Sequence, residues 1–104
     1  MATEPIAATT PKRELEARRV APPGADEMNR AARAGDPAAR ATWLWRAVGK
    51  GNVQAAVELA MMYEQGSGVA RDCDEARMLL HSAVNRGSTE AKARLLTLLR
   101  DGCR

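Results

Sequence analysis

Shifted by 36 positions, this chain of 104 residues falls onto itself. Asp36 lands on Asp72, Leu44 on Leu80, Ala47 on Ala83 and Val48 on Val84. The register continues with Gly51 on Gly87, Ala55 on Ala91, Leu59 on Leu95 and Gly66 on Gly102. Chance supplies Ala and Leu matches readily. Two glycines and a helix-capping Asp held in one register are a stronger sign. A period in the mid-thirties is the size of one helix–turn–helix unit.

What fills such a unit is limited by composition. Aromatic residues make up 3% of the chain and Phe is absent. The core must therefore come from Ala, Leu, Val and Met, which suits closely approaching helices and suits a broad sheet poorly. The length allows one domain. The formal charge of +3 is small, and Lys and Arg alternate with Asp and Glu, a pattern that reads as a solvated mixed-charge surface. No run of about 18 apolar residues exists to span a membrane. Residues 1–11 show neither a basic n-region nor an apolar h-region, so no signal peptide is read and cytoplasmic residence is the default expectation.

Residues 1–24 differ from the rest. They hold Pro5, Pro11, Pro22, Pro23 and Gly24 without sustained apolar periodicity, and they read as a disordered arm. Thr10 and Pro11 can start a short, isolated helix over Lys12 to Arg19, marginal in water by itself. From Ala25 onward the signals are helical. Asp36, Asn52, Asp72 and Ser88 stand at capping positions, and Pro37 stands at a first helical position. Glu75, three residues after Asp72, resembles a capping box. Gly35, Gly51, Gly66 and Gly87 stand where helices should stop in a left-handed residue. These signals predict helices over about 26–34, 37–50, 53–65, 73–86 and 89–100.

One stretch carries a family resemblance: Ala55, Leu59, Tyr63, Gly66, Gly68, Val69, Asp72, Ala76, Ala83 and Gly87. In that order and spacing they resemble the Sel1-like repeat, a relative of the tetratricopeptide repeat. Ala60 stands where the family usually has Gly, Leu79 where an aromatic is usual, and Val84 where Ala is usual; these are packing substitutions. One repeat is complete, about 52–87, with half repeats on either side, so the resemblance covers about residues 36–102 of a domain spanning 25–104. It implies an all-α fold, a short right-handed alpha-alpha solenoid of antiparallel helix pairs with about five helices. It also implies a protein-binding adaptor whose contact surface is lined by the first helix of each pair. Here that surface is Gln54, Glu58, Met61 and Gln65, with Arg94 and Thr97 alongside.

The motif residues themselves have folding roles. Leu59 and Tyr63 lie one turn apart on one face. Gly66 ends a helix, Gly68 lets the loop reverse, and Val69 plugs the gap between helices. Ala56, Ala60, Ala76 and Ala83 let paired helices approach closely. At ~100° per residue, helix 53–65 is apolar almost all round, as expected of a helix packed on both sides. Helix 89–100 gathers Ala91, Leu95, Leu96, Leu98 and Leu99 on one side, which reads as a one-sided terminal cap.

Trp43 aligns with Leu79 and is expected in the core. Trp45, two residues on, cannot share its face. It either packs under helix 26–34 or stands exposed as an anchor, since Trp is enriched at binding hot spots. Cys73 and Cys103 fall at the start of one helix and the end of the next, where a bridge is geometrically plausible, and some Sel1-like proteins are cysteine-stapled. Without a leader, two free thiols are the expectation. Two Cys and one His fall short of the four ligands a zinc site wants, and neither metal nor cofactor is predicted.

His81 is the only His, and no carboxylate pair, phosphate loop or nucleophile elbow appears. The reading is a binding protein and not an enzyme. A self-assembling structural protein, dimerising around Trp45, is the alternative. Nucleic-acid binding through Lys12, Arg13, Arg18 and Arg19 is a weaker third possibility.

Overall fold

In a computed structural model the described residues are 21–103, and they form five α-helices and no strand. We label them α1 (Ala25–Arg33), α2 (Pro37–Gly49), α3 (Val53–Gln65), α4 (Cys73–Asn85) and α5 (Thr89–Asp101). Each packs against its neighbour in the chain. The basic arm of Lys12 to Arg19, and most of the segment read as disordered, lie outside the described residues.

Four of the five helices start on a side-chain cap. The Ala39 N–H donates to the Asp36 carboxylate at 3.3 Å, and the Glu75 N–H donates to Asp72 at 3.0 Å. The Ala55 N–H donates to the Asn52 amide oxygen at 2.7 Å, and the Ala91 N–H to the Ser88 hydroxyl at 3.0 Å. Each cap satisfies an N–H that the helix itself leaves without a partner. Two of these caps, 36 residues apart, have matching geometry. Asn52 and Ser88 share φ −76°, with ψ 116° and 114°. The Asn52 and Ser88 N–H groups both donate back to alanine carbonyls, Ala47 and Ala83, at 3.0 Å.

The core is built largely from alanine and leucine. Leu44, Leu59, Leu80 and Val57 are its largest fully buried side chains, and Ala47, Ala55, Ala60, Ala76, Ala83 and Ala91 are sealed between helices. No polar or charged residue is buried among the described residues. Val69 packs against this core from the loop between α3 and α4. Gly68 in the same loop has φ 73°, and its backbone runs so close to the Pro37 carbonyl that no Cβ fits. Glycine is required there both for the left-handed backbone and for the contact.

Several expectations need correction. Gly35 is not left-handed: α1 ends through Ala34 in extended conformation (ψ 127°), which leads directly into the Asp36 cap. The end of the supposed arm is docked. Gly24 is buried with φ 75° against Ala47, and the Asn52 side-chain amide donates to the Pro23 carbonyl at 2.8 Å. The helix facing α1 presents Trp43 to it, not Trp45. The guanidiniums of Arg30 of α1, at 4.9 Å, and of Arg46, at 4.7 Å, both lie over the Trp43 ring, which is only partly buried. The Trp45 edge meets Tyr63 of α3, with centroids 6.1 Å apart and the indole N–H donating to the Tyr63 hydroxyl at 3.1 Å.

The thiols are not free. Cys73 and Cys103 form a disulfide, with Cα atoms 5.7 Å apart, inside the range disulfides span. Gly102 ends α5 with ψ −177°, where Gly66 ends α3 with ψ 32°, so the chain leaves α5 in a different direction and brings Cys103 to the start of α4. The Arg71 guanidinium donates to the Cys103 carbonyl and fixes the same tail. Finally, α5 is not a closed cap: Leu96 and Leu99 are 59% and 57% exposed.

Candidate protein-binding groove

Among the described residues a groove of about 580 Å³ opens on the surface. Its walls come from the α1–α2 connection, the first turn of α2, the outer side of α3 and the first turns of α5. The Asp36 cap turns α2 into position, and Pro37 begins it, so the groove's entrance is set by a local sequence signal. The Asn52 and Ser88 caps likewise fix where α3 and α5 begin, and hence where Glu58 and Glu90 point.

Four of the residues named for a contact surface come together here. Glu58, Met61 and Gln65 line the groove from α3, and Arg94 faces them from α5. Arg94 also borders a second depression of about 200 Å³ with Thr97 and Glu64. Gln54 is exposed on α3 but lines neither concavity, and Trp45 lies outside both.

Two residues escaped the sequence reading. Arg40 of α2 reaches across to α3 and pairs with Glu58 at 2.9 Å. Glu90 pairs with Arg94 one turn along α5 at 3.3 Å. A signal for Arg40 existed: shifted by 36 positions it falls on Ala76, which is wholly buried in α4. An arginine at the counterpart of a core alanine marks a place where the packing differs.

The chemistry follows from these parts. Met61 and the buried Met62 give the floor thioether side chains, which adapt to irregular apolar surfaces. The rim charges are already paired with one another. Both pairs are substantially solvent-exposed, so each contributes at most about 1 kcal/mol and exchanges readily for a ligand's own charges. Away from the groove, Glu27 of α1 accepts from the Lys50 ammonium at 2.6 Å. That hydrogen bond holds the Glu27 carboxyl below its ordinary value of 4.5, helped by a backbone hydrogen bond at Glu27. Among the described residues, no group of three His, Cys, Asp or Glu is arranged to hold a metal ion, and no helix is long and apolar enough to cross a membrane.

Fold and groove together define an all-α protein with a shallow, mixed-charge cleft. No protein-family model matches the chain, and no solved structure matches it. The likeness to the Sel1-like repeat therefore rests on the motif residues alone.

Proposed function

We propose that this chain is a protein–protein interaction module, a short alpha-alpha solenoid of the Sel1-like kind, that takes a protein or peptide segment along the groove between α3 and α5. The observation that carries the reading is the convergence of Glu58, Met61 and Gln65 with Arg94 around a concavity of peptide-sized volume. The near-identical caps 36 residues apart support a repeating architecture. A floor of methionines beneath exchangeable ion pairs suits a side-chain-bearing segment better than a small polar substrate, which favours binding over catalysis. The Cys73–Cys103 bond favours an oxidising compartment over the cytoplasm expected from the N-terminal sequence.

Capture of partners by the full chain from its native extract, repeated with Glu58→Ala and Met61→Ala, tests this. Loss of the same partner in both variants supports the groove. A partner lost only on Trp45→Ala places recognition elsewhere. Trp45, 39% exposed, supports a second reading as a homodimer contact. Sedimentation over a concentration range decides that reading, because a concentration-independent monomer excludes it.

A further inference from the structure

The two helices α3 and α5 occupy equivalent places 36 residues apart, yet one of their faces is treated differently. In both, the side toward the preceding helix is sealed: Ala55 and Leu59 match Ala91 and Leu95, all at most 6% exposed. On α3 a second face is sealed too, with Ala56, Val57 and Ala60 at 4%, 0% and 0%. The helix that follows, α4, makes the difference; α3 packs against it, and among the described residues no helix follows α5. The equivalent face of α5, formed by Lys92, Ala93 and Leu96 and continued by Leu99, is open.

We propose that this open face of α5 binds an amphipathic helix from a partner protein, one with an apolar stripe bordered by acidic residues. The type of occupant follows from the molecule itself. One period earlier, the same face is covered by a helix that presents Ala76, Leu79, Leu80 and Ala83. The charge follows from the border. Lys92 has no ion-pair partner among the described residues, and Arg100 at the far end is paired only with its neighbour Asp101 and remains 72% exposed on its side chain. A second copy is a poorer fit. Its own α5 face brings the same two cations, and the outward positions of α1, Asp26, Asn29, Arg30 and Arg33, offer no apolar stripe. The surface is separate from the groove and does not depend on that reading.

The test uses the full, disulfide-bonded chain and two synthetic helical peptides of about fifteen residues. Both carry alanine and leucine at the spacing of Ala76, Leu79, Leu80 and Ala83; one is flanked by Glu, the other by Lys. Saturable binding of the Glu-flanked peptide is expected, weakened on the order of tenfold or more by Leu96→Glu, and likewise by Leu99→Glu. Lys92→Glu is expected to weaken the Glu-flanked peptide and to favour the Lys-flanked one. Since both leucines are more than half exposed, unchanged melting temperatures confirm that the variants fold. Equal binding of the two peptides, or binding indifferent to Leu96→Glu and Leu99→Glu, overturns the proposal. So does a concentration-dependent dimer that Leu96→Glu abolishes, which assigns the face to a second copy.

Discussion

Cys103 is bonded to Cys73 across 30 residues, and the positions 36 residues earlier in the sequence are Ser67 and Pro37, which form no such bond. The loop after α3 is pressed onto the start of α2 at Gly68, and α3 packs against α4. After α5, the last helix among the described residues, a covalent bond holds the tail at Cys103.

Reduction is therefore expected to loosen α5 before the rest. By the chain-entropy account, opening a loop of this size costs about 3–4 kcal/mol. Urea titration of the oxidised chain against Cys73→Ser/Cys103→Ser should show a lower midpoint, corresponding to an unfolding free energy smaller by about that amount. Hydrogen exchange should place the lost protection first in α5. Uniform loss across α2 to α5 would mean that the helices unfold only together.

Gly68→Ala is expected to cost at least about 2 kcal/mol, because the new methyl meets the Pro37 backbone in a left-handed residue. Gly87, with φ 95° and open space around it, supplies the comparison. Gly87→Ala carries the backbone penalty alone, about 1 kcal/mol. Chemical denaturation of both variants isolates the contribution of the close approach, and equal losses would refute it.

The Glu27–Lys50 pair predicts a pH dependence with a definite sign. The folded-state carboxyl titrates below 4.5, so its contribution is present above that value and disappears as pH falls through the folded-state pKa. Glu27→Gln should lower the melting temperature near neutrality, and the gap from the parent should narrow as the pH falls below 4.5 and through the lowered folded-state pKa. A gap that persists in acid would assign the loss to packing.

Trp45 and Tyr63 share a hydrogen bond and an edge-to-face ring contact. Tyr63→Phe removes only the first and is expected to cost about 0.5 kcal/mol, the low end for an exposed pair. Tyr63→Ala removes both and should cost about 2 kcal/mol or more, with Trp45 fluorescence shifting to the red. Equal effects from the two variants would show that the rings contribute nothing beyond the hydrogen bond.

The legible part of this protein was the local part. Asp36, Asn52, Asp72 and Ser88 act on an N–H three residues away, so their roles can be read without knowing anything distant. Helix boundaries followed to within about two residues, and the apolar faces of α2 to α4 supplied the buried alanines and leucines. For the groove, helical periodicity brought Glu58, Met61 and Gln65 to one strip. It could not bring Arg40 or Glu90 to that strip, because they belong to other helices.

Sequence alone determined an all-helical chain, capped and punctuated at intervals of 36 residues, with an alanine–leucine interior. Tertiary structure decided the matters that depend on what lies opposite. Cys73 found Cys103, which an isolated thiol count cannot reveal. Trp43 met Arg30 while Trp45 met Tyr63, a choice fixed by how α1 and α3 sit on α2. Leu96 and Leu99 stayed in solvent because burial depends on a neighbouring helix, and no residue's own chemistry says whether that helix is there.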